Sequence, residues 1–423
     1  LKIIKGFKTA KTVLSREAPR ETFGGDAQEQ TVRQIIDDVR QRGDAALLDY
    51  TRRFDGVELA SLEVDKKQVK KAYQMVSPEL ISALRLAARR IRSFHLKQKR
   101  LIWRIATPGS VLIRPLERVA VYAPGGTASY PSTVLMTAIP GRVAGVKEII
   151  LVTPPGKEGG VSSPTLVAAD IAGVDRIFSV GGAQAIAALA FGTRSIPRVD
   201  KICGPGNIYV TLAKKLLYGV VGIDGLFGPS EVLIIADETA DPEYCAADLL
   251  AQAEHDPLAS AILITTSSLL AEEVEQRVEQ GLKGLRRQAS ESIKTKGLIV
   301  AVANINEAIE LANLYAPEHI YLMIRKAENY IKRIANAGCI SLGERATVAL
   351  SDYVLGPSHV LPTGATARFS SPLSILDFIK LTNLARVDKT SLLKLGRAAA
   401  IIARAEGLEA HARAIEKRLK GSY

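Results

Sequence analysis

Apolar residues recur at helical spacing along the first hundred positions. Val32, Ile35, Ile36 and Val39 fall at i, i+3, i+4 and i+7, and Gly43 followed by Asp44 supplies a stop and a fresh N-cap. Leu47, Leu48, Thr51 and Phe54 continue a second helix to Gly56, and a third opens at Ser77-Pro78-Glu79 with Leu80, Leu84, Ala87, Ile91 and Phe94 on one stripe. The spacing predicts a helical N-terminal quarter. From Arg118 the pattern changes to short apolar runs that end in Gly or Pro and precede helical stretches. Runs at 118–124, 148–154, 176–180 and 201–204 form one block, and runs at 231–237, 261–265, 298–303 and 319–324 a second. Nearly continuous hydrophobic strands alternating with helices predict parallel sheets covered on both faces. The fold class is therefore α/β, with two Rossmann-like parallel-sheet domains and helical N- and C-terminal extensions. Beyond Ser374 the chain reads as helical again. Leu408, Ala412, Ile415 and Leu419 form a narrow stripe that needs a surface, in its own subunit or in a partner.

Length and composition narrow the class without deciding it. At roughly 100 to 200 residues per domain, a chain of this length holds two or three units. With 47% apolar and 24% charged residues among its 423, the chain is neither disordered nor collagen-like. The longest apolar runs, 148–154 and 231–237, fall far short of the roughly 20 residues of a membrane helix. Leu1-Lys2-Ile3-Ile4-Lys5-Gly6 has no secretory apolar core. Cysteines at 203, 245 and 339 form no CxxC pair, so the expected compartment is the reducing cytoplasm, or an organellar stroma had a transit peptide been removed. The net charge of +12 suggests nucleic acid, but the first 104 residues alone carry 23 Lys/Arg against 13 Asp/Glu. Their arginines fall off the apolar stripe, and aromatic residues for base stacking are nearly absent. The basic quarter reads as a solvated or subunit-contact face, and neither nucleic acid nor membrane is expected as a partner.

Candidate chemistry gathers at strand and helix ends. Of five histidines, His95 lies within the basic helix and reads as structural, while His255, His319, His359 and His411 stand in polar segments. Gln252 and His255 precede Pro257, the expected helix stop; three apart, they share one face of a last turn, as a polar helix end or as two ligands of one metal ion. In Tyr315-Ala316-Pro317-Glu318-His319, adjacent Glu and His point to opposite sides of an extended chain and serve one reaction only if the chain turns there. Together they would supply two proton carriers of different pKa. Ser351-Asp352-Tyr353 opens a Gly/Pro-rich loop through His359. Glu406 and His411 flank Gly407, where a helix start would let both face one point. Three turns each follow an apolar strand: Tyr122-Ala123-Pro124-Gly125-Gly126-Thr127, Gly181-Gly182-Ala183-Gln184 and Gly204-Pro205-Gly206-Asn207. None is G-x-G-x-x-G. Singly each is a tight turn; three in consecutive βα units suit one nucleotide or phosphate site.

The strings PGGTASYPSTVLMTAIP, VGGAQAIAALAFGT, GPGNIYVTLAK, GPSEVLIIAD, AQAEHDP, YAPEH, SDYVLGPSHVLPT, ARFSSPLS and EGLEAHA resemble histidinol dehydrogenase, in that family's order and over nearly the whole chain from about Glu29. The resemblance implies oxidation of L-histidinol to L-histidine through L-histidinaldehyde, the final steps of histidine biosynthesis, with two NAD consumed and one zinc ion per subunit of a homodimer. It implies Gln252, His255, Asp352 and His411 as metal ligands, Glu318 and His319 as the catalytic pair, and Tyr122, Gln184 and Asn207 as NAD contacts. Ser230, His359 and Glu406 match positions at or near the substrate, which the ligands and His319 also touch. Glu406 and His411 are implied to reach the other subunit's site. The expected division is an extension at 1–20, a first α/β domain from 21–117 and 231–373, an NAD-binding domain at 118–230, and a helical segment at 374–423 shared with the partner. A same-fold zinc/NAD dehydrogenase for another small alcohol, such as a sulfonated diol, is the alternative, against which Glu406 and His411 argue. Cys203 offers a thiohemiacetal route that the family pattern does not need. Phe227 and the segment 104–110 depart from the family pattern and leave the fit around Ser230 open.

Overall fold

The computed structural model of the chain describes residues 1–15, 25–105, 110–125 and 129–420. These fall into two compact units, one of residues 1–99 and 115–379 and one of residues 100–114 and 380–423. In chain order the strands are β1 (Lys2–Lys5), β2 (Val111–Pro115), β3 (Arg118–Tyr122), β4 (Glu148–Thr153), β5 (Arg176–Ser179), β6 (Lys201–Cys203) and β7 (Gly222–Ile223). They continue as β8 (Glu231–Ala236), β9 (Ser260–Thr265), β10 (Gly297–Ala301), β11 (His319–Met323), β12 (Cys339–Leu342) and β13 (Ile379–Asn383).

The first unit contains two parallel sheets, ordered β5-β4-β3-β6-β7 and β1-β10-β9-β8-β11-β12. Numbered along each block, both share the order third, second, first, fourth, fifth. This is one half of the doubly wound arrangement, in which right-handed crossovers run outward from a central strand and reverse once. All eight apolar runs became strands because each is short and buried on both faces: Val119, Ile150, Leu151, Val232, Leu233, Leu263 and Ile320 are fully buried. The repeated strand order supports two Rossmann-like units where no sequence repeat is visible.

The helical reading of the N-terminal quarter needs correction at its first residues. Lys2–Lys5 is a strand, with Ile3 opposite Ile299 on the edge of β10. A four-residue run carries no period, so the open edge of β10 decides its conformation. The short strands β7 and β12 likewise became strands only by lying beside β6 and β11.

Helices Asp26–Arg42 and Asp44–Asp55 form as the spacing predicts. Val32, Ile35, Ile36, Val39, Ala46 and Leu47 share one core with Ala120, Ile150 and Phe178 of the first sheet and Ile186 and Leu189 of the helix behind it. The basic helix Pro78–Ile105 buries Leu84, Ala87 and Ile91 and exposes Arg85, Arg89 and Arg92. His95 is buried within it, its Nδ1 2.8 Å from Gln98 Oε1.

The helical reading beyond Ser374 needs correction at Ile379–Asn383, which is a strand because it pairs with β2; helices Lys389–Ala405 and Glu409–Lys420 then form a hairpin around Ala400, Ala403 and Ala412. Gly407 makes the turn at φ 77°. Arg404 straps the hairpin through Glu409 at 3.0 Å and Glu416 at 2.7 Å.

Candidate active site

A cavity of about 980 Å³ lies within the first unit. On one side it is lined from the carboxyl end of the first sheet, by Tyr122, Pro124 and Gly125 after β3, Gly182 and Gln184 after β5, and Pro205, Gly206 and Asn207 after β6. Strands β3 and β6 are neighbours where the strand order reverses, the point at which open α/β sheets leave a crevice for ligands. On the other side Ser230 precedes β8, Glu318 precedes β11 and His319 opens it. The second sheet thus contributes its amino edge, again at the pair of strands where its order reverses.

Glu318 and His319 do meet. Helix Ile305–Tyr315 ends on Ala316 in the left-handed region (φ 53°), whose N–H donates to the Ala312 carbonyl at 2.8 Å. Pro317 then brings the chain into β11. Both side chains reach the cavity, with Glu318 Oε1 4.0 Å from His319 Nε2. The Glu318 carboxylate accepts the backbone N–H of Glu231 at 2.9 Å through Oε2. Asp352 Oδ1 stands 3.9 Å from His319 Nε2. Burial pushes the Glu318 carboxyl well above its usual range; the Glu231 N–H opposes this, and the Glu231 and Asp352 carboxylates add to it. Burial, with His255 and His359 nearby, pushes His319 down to about 3, so its ring is neutral.

Gln252, His255 and Asp352 line the same cavity. The helix carrying Gln252 ends at Ala253, earlier than Pro257 requires, and His255 lies beyond it. The last turn tightens instead: the His255 N–H donates to the Gln252 carbonyl at 3.2 Å, and that turn directs both side chains inward. Asp352 sits on the short helix Val348–Tyr353, capped by Thr347, and burial pushes it up to about 7. The Asp352 carbonyl accepts from His359 Nδ1 at 2.9 Å, which leaves His359 Nε2 for the cavity; burial holds that ring down at about 4. Burial also lowers His255.

Gln252 Nε2, His319 Nδ1 and Asp352 Oδ1 are buried without a hydrogen-bond partner. Buried polar atoms left open in a cavity are where a bound group completes the bonding. Among the described residues no group of three His, Cys, Asp or Glu side chains is placed to hold a metal. His255 and Asp352 are two such donors, and the Gln252 carboxamide is a third of another kind. Oxygen and imidazole donors without thiolate fit zinc, manganese or cobalt.

On the first sheet's side the Tyr122 hydroxyl accepts the Gly182 N–H at 3.1 Å, and burial pushes that phenol up to about 12. Gln184 is buried with Oε1 unpartnered. Asn207 caps helix Ile208–Leu217, its Oδ1 accepting from the N–H groups of Tyr209 and Val210 at 3.1 Å each. A Cβ on Gly204 would overlap the Tyr122 carbonyl and one on Gly206 the Val210 side chain, so this turn admits only glycine at both positions. Gly126 and Thr127 lie outside the described residues, as do residues 106–109.

Sequence reasoning missed Arg53, Phe54 and Asp55, which line the cavity from the end of helix Asp44–Asp55. Their spacing marks an ordinary helix and offers no signal. Tyr130 and Tyr353, also lining it, were equally silent. Cys203 is fully buried in β6, and burial pushes its thiol well up, so no thiolate is at hand. Glu406 and His411 belong to the second unit, Glu406 at the end of one hairpin helix and His411 exposed on the other.

Comparison with known proteins agrees with this architecture. The chain matches the profile of the histidinol dehydrogenase family over residues 18–419. It is 57% identical to the histidinol dehydrogenase of Dehalococcoides mccartyi (strain CBDB1), over 99% of this chain and 100% of that one. Identity to the enzyme of Geobacter sulfurreducens is 51%, over 93% of each. The crystal structure of histidinol dehydrogenase from Elizabethkingia anophelis superposes with a TM-score of 0.92 at 37% identity, covering 100% of this chain and 98% of that one. A profile match over nearly the whole length, and a shared fold at high identity, place this chain in the histidinol dehydrogenase family of oxidoreductases.

Proposed function

We propose that the protein oxidises L-histidinol to L-histidine through L-histidinaldehyde, passing two hydrides to two molecules of NAD at a site with one divalent metal ion, zinc in the first instance. The observation that carries this reading is the single cavity that holds Glu318, His319, Gln252, His255 and Asp352 opposite Tyr122, Gln184 and Asn207. When bound, the metal would supply a Lewis-acid anchor for the substrate's imidazole and amine, and NAD the hydride acceptor.

The chain's own residues account for the proton steps. His319, neutral and buried, takes the hydroxyl proton as the first hydride leaves the carbinol carbon. Glu318, held by the Glu231 N–H, is the group assigned to removing a proton from the water that attacks the aldehyde. His319 gives the hydroxyl proton up to solvent between the two oxidations and takes a further one in the second. Gln252, His255 and Asp352 are the ligands supplied by this unit. Ser230 and His359 face the substrate, and Tyr122, Gln184 and Asn207 the coenzyme. The enclosed position of Glu318 and His319 keeps the aldehyde from bulk water.

The reading extends to a homodimer in which Glu406 and His411 complete the partner's site. The hairpin of the second unit supports it: Leu395, Ile401, Ile402 and Leu408 are exposed large apolar residues. Three free cysteines fit a reducing compartment, the cytoplasm; among the described residues no helix is long and apolar enough to cross a membrane. The test is NADH formed per L-histidinol consumed, with and without chelator. Two per substrate, abolished by chelator and restored by zinc, is expected. One NADH with released aldehyde, or chelator-insensitive turnover, overturns the reading.

A further inference from the structure

Beneath the cavity floor lies an ion pair with no part in the proton steps above. Lys214, on helix Ile208–Leu217, and Asp224, after β7, are paired with side chains only 2% and 1% exposed. A buried pair of this kind contributes little net stability, since desolvating both charges offsets their attraction and an apolar pair of the same volume often does as well. Its contacts give it another use. The Asp224 carboxylate accepts the Gly204 N–H at 2.6 Å, and Lys214 Nζ donates to the Gly204 carbonyl at 3.0 Å. The peptide groups of one residue are therefore held from both sides, at the glycine that opens the coenzyme turn and admits no side chain of its own.

The same lysine reaches the second turn of the cavity. Its Nζ lies 4.9 Å from the centre of the Phe227 ring, a cation–π contact stronger here because the ammonium is desolvated. Phe227 lines the cavity and opens the Phe227-Gly228-Pro229-Ser230 turn. Its carbonyl accepts from Thr211 Oγ1 at 2.9 Å, from the helix that carries Lys214. The Gly228 N–H donates to Thr363 Oγ1 at 2.6 Å. We propose that Phe227, Lys214 and Asp224 form a positioning clamp that sets the spacing between the coenzyme turn at 204–207 and the substrate turn at 227–230. This rests on the coenzyme and substrate assignments above and adds the residues that fix their distance.

The test compares Phe227→Ala, which removes the ring from a partly exposed site, with Phe227→Tyr, which keeps it. Hydride transfer is sensitive to donor–acceptor distance, so Phe227→Ala should lower kcat by roughly ten- to a hundredfold. It should also raise the primary isotope effect with histidinol deuterated at the carbinol carbon, at unchanged metal content and with the fold retained by circular dichroism. Phe227→Tyr should restore wild-type kcat and isotope effect. The double variant Lys214→Met/Asp224→Asn should repeat the isotope effect; if it does not fold, the Phe227 pair decides alone. Wild-type kcat and isotope effect in Phe227→Ala, with NAD binding intact by calorimetry, overturns the clamp and leaves the coenzyme reading standing. A wild-type protein that binds no NAD overturns both.

Discussion

His319 Nε2 stands 3.9 Å from the Asp352 carboxylate, although one residue opens a central strand and the other sits on a short helix that follows a different strand. The contact puts the proposed proton acceptor beside a proposed metal ligand, with Glu318 Oε1 4.0 Å from the same nitrogen. Proton removal and substrate anchoring then occur within one side chain's reach, which makes the two roles separable by substitution.

Metal content distinguishes ligand from base. His255→Asn and Asp352→Asn should each lower bound zinc and activity together, because each removes one of few donors. An inactive variant with full zinc by elemental analysis would reassign that residue to proton transfer or packing.

Glu318 is assigned to the second half-reaction alone. Glu318→Gln keeps an acceptor for the Glu231 N–H while removing the base. Aldehyde oxidation should fall by about 10² to 10⁴, the usual worth of a positioned general base, with alcohol oxidation far less affected. Single-turnover NADH traces separate the two, and equal losses in both would remove Glu318 from water activation.

Cys203 should be dispensable. Its thiol is fully buried within β6, and burial holds it protonated. Cys203→Ala should keep most of the activity at a cost in stability of about 1 kcal/mol for the small cavity left. A loss of several orders of magnitude with intact fold and zinc would restore the thiohemiacetal route.

His95 should give the fold a pH-dependent term. Burial lowers its pKa below the ordinary 6.5, against the raising effect of Gln98. Between the folded and unfolded values the unfolded chain binds the extra proton, so this contribution is complete above 6.5 and is lost as pH falls through 6.5 towards the folded value. Denaturant midpoints measured from pH 7 to pH 5 should fall less steeply for His95→Gln than for wild type. Parallel curves would show that the imidazole binds protons alike in the folded and unfolded states.

Subunit exchange tests the shared site. His411→Asn would lack the donated ligand and Glu318→Gln the recipient base, so a mixed dimer carries one doubly defective site and one intact site. Random reassortment makes half the dimers mixed, which returns about a quarter of wild-type activity. No recovery, with mixed dimers confirmed by mass spectrometry, would confine His411 to its own subunit.

Much of this architecture is written locally in the chain. The strands at 118–122, 148–153, 231–236 and 319–323 and the helix over Asp26–Arg42 follow from period and punctuation, because burial on both faces or along one stripe selects residues in the order they occur. That Gln252, His255, Glu318, His319, Asp352 and His359 stand at element ends was legible, and they line one cavity; the roles proposed for them come only through resemblance. What the sequence could not decide is adjacency. Lys2–Lys5 became a strand because β10 offered an open edge, and Arg53, Phe54 and Asp55 reached the cavity because their helix packs on the first sheet's flank. Lys214 and Asp224 look like an exposed cation and a loop acid until β6, β7 and the helix between them bring both beneath Gly204. Periodicity records which face of an element is buried; what that face is buried against depends on strand order, which the chain specifies only through the packing of all its elements at once.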